Sequence, residues 1–286
     1  MNKILITCEG TSDLNKELYE KYNIKVLGLN MTVDGVEYNN ISNPISSKEF
    51  YESMRQDKKV GTSQVNQYDA KNFLEEFVKQ GYEIVHISFS KNLSGTYNNF
   101  VLAKDEINEI YGEKVKVVDS LCASAGQGLA CIITSEYNDG THSLEEVANF
   151  ANDICKHITH LFIVDNLKYL SRTGRISKLL AKIGTILQIK PVLHADEEGK
   201  LTSLQKVISR KKSILTLASK TIETKNDLSN KILIAHADCI EEATLLAEKI
   251  KEGLSIEPTI VEIGTIIGSH SGPGTLAVFY TSDKRI

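Results

Sequence analysis

Four stretches of this 286-residue chain place hydroxyls, glycines, a histidine or arginines in loops beside strands and helices, and the last three of them suit recognition of an anion. Gly61-Thr62-Ser63-Gln64 stands before a helix expected to open near Asn66, an N-cap residue with Asp69 in the first turn. Ser94 and Gly95 lie in the Phe89 to Tyr97 segment, between an apolar strand and a helix expected from about Gly95 to Glu109. Unpaired amides and the positive end of the helix dipole attract negative charge at such a place, and a glycine lets a ligand approach the backbone. Both stretches also read as ordinary helix caps. Gly264 to Gly274 reads GTIIGSHSGPG, expected as a loop whose glycines and proline set an unusual path around His270. That histidine can donate to an anion or simply stand exposed. Leu170 to Lys178 is a basic turn before a helix, in which Arg172 and Arg175 offer paired donors for carboxylate or phosphate. Lys206, Arg210, Lys211 and Lys212 follow it, and the two clusters read either as a docking patch or as solvated surface.

Catalytic signatures are missing from the chain. There is no G-x-x-x-x-G-K-[ST] loop, no G-x-G-x-x-G after the first strand, no H-E-x-x-H and no G-x-S-x-G elbow. Ser88 to Lys91 matches S-x-x-K without the companion motifs of that chemistry. The competing enzyme reading is a small hydrolase or phosphotransferase using Ser94 or Ser271 with His270, which requires a carboxylate to orient the base and a defined oxyanion site. No catalytic residue is assigned. Cys155, His157 and His160 lie close in sequence, but no second cysteine pair completes a tetrahedral set, so no metal site and no cofactor is assigned.

The elements that must carry these groups follow from composition and period. Apolar residues make up 41% and charged residues 24%, enough for packed cores, and the length suits two domains. A net charge of −4 and a pI near 6.0 argue against a nucleic-acid partner. The five cysteines are scattered and odd in number, Met1 to Gly10 reads as a first strand rather than a leader, and no apolar run spans a bilayer. A soluble cytoplasmic protein without an integral membrane segment is the expectation.

Short β-branched runs alternate with segments of helical period, the pattern of α/β organisation. Strands are expected at Lys3 to Thr7, Lys25 to Leu29, Glu83 to Ser88, Lys114 to Asp119 and Leu161 to Asp165, several apolar on both faces as in a parallel sheet. Helices should start at the S-x-x-E boxes of Ser46 to Glu49 and Ser143 to Glu146. Later strands are expected at Ile189 to Leu193, Leu201 to Val207, Lys231 to His236, Pro258 to Glu262 and Thr275 to Thr281, the first two joined by a hairpin at Glu197-Glu198-Gly199. This gives an N-terminal α/β domain over 1–160, with a mostly parallel sheet flanked by helices, and a C-terminal α/β domain with a mixed sheet over 161–286.

Taken in order, the motifs resemble the DegV family along essentially the whole chain. Thr11-Ser12-Asp13-Leu14 resembles its opening loop, Thr62-Ser63-Gln64 its T-S-Q motif and Leu93-Ser94-Gly95-Thr96-Tyr97 its L-S-G-T-Y motif. Val118-Asp119-Ser120, Leu167 to Ser177, and Gly268 to Gly274 are similar to its following strand end, its L-x-Y-L-x-R-x-G-R-I-S segment and its G-x-H-x-G-P-G. The resemblance implies a two-domain DegV-like fold with a long-chain, palmitate-like fatty acid in a cleft between the domains, for lipid transport or fatty-acid metabolism. It also implies that Thr62 and Ser94 hold the carboxylate with His270 in support, beside Ser63 and Gly95. Such a protein is no enzyme alone. Relatives serve as the binding subunit of a fatty-acid kinase, and the resemblance makes Arg172 and Arg175 the surface facing an ATP-binding partner and its phosphate. The chain departs from the family pattern at Glu9, Gly10, Val65, Asn66, Thr173 and Ile208, the last where an arginine is frequent.

Overall fold

A computed structural model describes residues 3–177 and 190–286. From the N-terminus it runs β1 (Lys3–Glu9), α1 (Lys16–Lys21), β2 (Lys25–Leu27), β3 (Asn30–Val33), β4 (Val36–Asn39), α2 (Ser47–Arg55) and β5 (Val60–Thr62). Then come α3 (Gln67–Lys79), β6 (Tyr82–Ser88), α4 (Thr96–Tyr111), β7 (Val115–Asp119), α5 (Ala125–Tyr137) and α6 (Leu144–His157). The second half continues with β8 (Ile158–Ile163), α7 (Lys168–Arg172), β9 (Val192–Ala195), β10 (Leu201–Gln205) and α8 (Arg210–Thr224). It ends with β11 (Leu233–His236), α9 (Ile240–Leu254), β12 (Thr259–Glu262), α10 (Thr265–Ser271) and β13 (Leu276–Thr281).

The first sheet is parallel throughout, in the order β2-β1-β6-β7. Ile84, Val85 and Ile87 of β6 have no exposed surface, because helices cover both faces of the strand. The second sheet has the order β10-β9-β8-β13-β11-β12 and is mixed: β11 and β12 are parallel, the other pairs antiparallel. The α/β class with one parallel and one mixed sheet is thus as the sequence indicates. The β9–β10 hairpin closes around Asp196, whose Oδ1 accepts from Glu198 N and Lys200 N, and turns at Gly199 with φ of 77°. Lys178 and Ile189, and the helix expected to follow the basic turn, fall outside the described residues.

A third sheet, β4-β3-β5, is absent from the strands that the sequence pattern indicates. Its hairpin turns at Asp34 and Gly35, with φ of 53° and 85°, values that only such residues adopt readily. Thr62, expected in a loop, is therefore the last residue of β5, paired with Met31. His270 also corrects the expectation, since it sits on α10 rather than in a loop. The helix forms because Gly268 lets it lie against α2, where a Cβ would stand 2.5 Å from Tyr51 Oη, and it stops at Gly272, whose φ is 82°. Ser143 and Glu146 form a reciprocal capping box, whereas Ser46 accepts from Glu49 N without the return bond.

Helix α5 joins the two halves, touching β1 and β6 of the first sheet and β8, β11 and β13 of the second. Every residue from Ala125 to Thr134 is buried, as a helix apolar all round demands. Gly126 and Gly128 make room for the neighbours, with an added Cβ 2.1 Å from His160 Nε2 at the first and 2.5 Å from Leu14 Cδ2 at the second. The expected division at residue 160 falls inside β8, while α6 just before it packs on β6 and β7. Among the described residues no helix is long and apolar enough to cross a membrane.

Candidate ligand-binding site

In the first sheet the connections from β1 and from β6 lead to opposite sides, and a parallel sheet leaves a crevice beyond its strand ends at such a point. Glu9 fastens the two loops there. It is fully buried and accepts from Ser88 Oγ at 2.5 Å, Phe89 N at 3.1 Å and Gln127 Nε2 at 2.5 Å. Burial pushes its carboxyl up, but His86 at 3.4 Å and the hydrogen bonds together pull it below the usual carboxylate range. Gln127 in turn accepts from Thr11 Oγ1 at 2.8 Å, so the start of the opening loop is fixed as well.

Above this crevice lies a cavity of about 340 Å³ lined by both halves, a size within the small-molecule range. Leu29, Phe89 and Leu93 from the first half and Phe162, Ile266 and Phe279 from the second give it an apolar wall. Thr62, Ser63, Ser94, Gly95 and His270 line the same cavity, so the structure brings these five sequence-derived positions together. The loops carrying them are stitched by Val65 N donating to Thr96 Oγ1 at 3.3 Å and by Gln64 against Gly95, where a Cβ would meet Gln64 Oε1 at 2.4 Å. A larger residue there would push the Gln64 side chain aside.

Thr62 Oγ1 and His270 Nε2 are 2.9 Å apart. Burial, with repulsion from Arg175 and Arg172 behind it, lowers the His270 pKa to about 4, so the ring is neutral at physiological pH. Its Nδ1 is buried without a partner, and so is Ser271 Oγ. Ser94 lies one residue before the cap of α4, because Gly95 takes helical angles and serves as the N-cap. Its hydroxyl accepts from Thr96 N at 3.2 Å and donates to Thr96 Oγ1 at 3.0 Å. Among the described residues neither Ser94 nor Ser271 bonds His270, and no carboxylate accepts from that ring. The relay that a serine hydrolase needs is not assembled.

The two arginines part company. Arg175 lines the cavity and donates through Nε to Leu93 O at 3.3 Å, and burial lowers its pKa from the ordinary value. Arg172 is exposed and lies over the Tyr169 ring, 5.5 Å from its centroid. Arg210, which the sequence groups with the later lysines, is engaged by Glu242 and by Gly274 O at 2.5 Å.

Thr11, Ser124 and His160 also line the cavity, although the sequence motifs do not mark them as ligand contacts. Thr11 had a visible signal in the opening loop after β1. His160 had none, since its nearness to Cys155 and His157 suggested a different chemistry. The three diverge: His157 Nδ1 faces Ser282 O, Cys155 O accepts from Arg285, and His160 meets Phe279 edge-on at 5.2 Å. Burial, then Arg285, holds the His160 ring well below its ordinary pKa.

The DegV family profile, described as an uncharacterised protein family, matches residues 3–283. A DegV domain-containing protein from Clostridium perfringens is 38% identical over 291 residues, covering 100% of this chain and 99% of its own. The structure of a DegV family protein from Thermus thermophilus, described for its fatty acid binding, superposes with a TM-score of 0.86 at 26% identity, covering 98% of this chain and 99% of that one. A Thermotoga maritima protein described as revealing fatty acid binding function gives 0.83 at 27% identity, with 99% and 100% covered. On sequence, topology and extent alike, the chain belongs to the DegV family.

Proposed function

We propose that this protein binds a long-chain, palmitate-like fatty acid in the cavity between its two domains, with the carboxylate at Thr62, Ser94 and His270. The observation that carries the reading is one cavity of about 340 Å³ that joins a mostly apolar wall to these hydrogen-bonding groups. Burying ~14 methylenes at ~0.8 kcal/mol each gives a gross gain on the order of 11 kcal/mol before the costs of association and ordering. Hydrogen bonds to a charged head contribute only ~1.5–3 kcal/mol each. The tail therefore sets affinity and the head sets direction.

Neutral His270 suits this role. With its proton on Nε2 it donates to Thr62 Oγ1, leaving the Thr62 hydroxyl proton to point at a carboxylate oxygen. Ser63 and Gly95 flank the head, and Ser271 adds a buried hydroxyl with no partner of its own. The fatty-acid binding described for the Thermus and Thermotoga relatives supports the same reading. Native mass spectrometry of the purified protein should show a bound mass that denaturing extraction identifies as fatty acid. A clean apo mass after lipid addition would sink the idea.

The proposal extends to presenting the carboxylate to a separate ATP-dependent fatty-acid kinase. Support comes from the turn at 172–175, where Arg172 is exposed on the surface and Arg175 reaches the cavity. Arg172 then faces the partner and Arg175 the transferred phosphate. Catalysis would belong to that partner.

A further inference from the structure

Asp13 stands where the first half meets the start of α10. It is 6% exposed and held at φ of 49°, and its two carboxyl oxygens serve different elements. Oδ1 accepts from Gly264 N at 3.0 Å, and Oδ2 accepts from Ser124 Oγ at 2.5 Å. Gly264 is the N-cap of α10, and a Cβ there would lie 2.7 Å from Asp13 Oδ1, so a larger residue would displace that oxygen. Ser124 caps α5 at φ of 54° and lines the cavity. No cation pairs with Asp13 among the described residues, which makes a buried carboxylate at this seam costly to ionise.

We propose that Asp13 is a positioning residue that latches the start of α10 to the N-terminal half, holding His270 against Thr62, so that its release loosens the cavity around the ligand. The inference rests on the fatty-acid reading above. Fewer than two helical turns separate Gly264 from His270, so a shift at the start of α10 is carried to the ring. The groups that face Asp13 are the Ser124 hydroxyl just before α5, the Gly264 amide, and the phenols of Tyr19 on α1 and Tyr51 on α2, both kept neutral by burial.

Burial pushes the Asp13 carboxyl up to about 7, against the pull of its bonds to Ser124 and Gly264. An opened, hydrated latch would return it to about 4. The closed state thus binds the proton more tightly than the open one. Its advantage is complete below about pH 4, shrinks as pH rises to 7, and is level above that. When protonated, Asp13 donates to Ser124 Oγ along the same short contact.

The test is displacement of a bound fluorescent fatty acid, cis-parinarate, from the full chain between pH 5 and 9. Wild-type dissociation should accelerate from pH 5 to 7, by up to about tenfold per pH unit, and then level off. Asp13→Asn keeps an oxygen for Gly264 N–H, offers an amide donor to Ser124 Oγ and cannot ionise, so it should release slowly at every pH. Asp13→Ala should release fast at every pH. A wild-type pH profile in the Asn variant, or a flat profile in the wild type, overturns the proposal. If neither protein takes up the probe, the fatty-acid reading fails and the latch is judged on ligand-free thermal unfolding. There the Tm advantage of Asp13→Asn over wild type should widen between pH 5 and 7, and an unchanging difference overturns it.

Discussion

The apolar wall and the polar cluster of the cavity are built from different kinds of structure. Phe162 on β8, and Ala277 and Phe279 on β13, come from central strands of the second sheet, buried and paired on both sides. Thr62, Ser94 and His270 come from the last residue of a three-residue strand, the approach to a helix and a seven-residue helix. A wall on rigid strands keeps its shape whatever the head group does. A cluster on short elements depends on bonds such as Asp13 to Gly264 and Val65 to Thr96 to stay assembled. The contrast matches the energetics of a fatty acid, in which the tail supplies most of the affinity and the head supplies orientation.

The most severe test of this contrast is to fill the wall. Ala277→Phe should occupy the space of about four methylenes and cost ~3 kcal/mol of binding, on the order of a hundredfold in Kd by calorimetry or probe titration. Circular dichroism should show the variant folded. Equal affinity would mean that the tail does not run along β13. A smaller effect is expected from removing the head-group hydroxyls. Thr62→Ala combined with Ser94→Ala should weaken binding about tenfold, since both sites are only partly buried and water replaces part of each lost bond. Unchanged affinity together with unchanged transfer by a kinase partner would remove both residues from the site. The smallest effect belongs to Arg172→Ala. Exposed and outside the cavity lining, it should leave fatty-acid Kd unaltered while lowering acyl-phosphate formation with the partner, and a loss of lipid binding would contradict its outward role.

Much of this was legible in the chain. The buried runs of β1, β6 and β8, the hairpin at Asp196 to Lys200 and the capping box at Ser143 are local signals, set by side-chain period and turn chemistry within a few residues. The small sheet is not legible in this way: the Asp34-Gly35 turn lies between Asn30 to Val33 and Val36 to Asn39, but these strands are short and only partly buried, so their alternation is weak. The sequence indicates a loop around His270 because its neighbouring glycines and proline read as breakers. Gly268 instead lets a helix pack closely on Tyr51, a reason that lies in a residue more than two hundred positions away.

By itself the sequence determined the parallel and the mixed sheet, the capped helix starts at Ser46 and Ser143 and the residue types at the polar cluster, because these follow from period, capping and the short-range conformational limits of each residue. Only the tertiary structure decided which of those residues share one cavity, that Arg175 enters it while Arg172 does not, and that His160 and Ser124 complete its lining. The bond of Asp13 to Gly264 spans 251 positions. Contacts of that separation arise from the docking of two sheets through α5, and no local pattern of residues encodes where the docking will bring them.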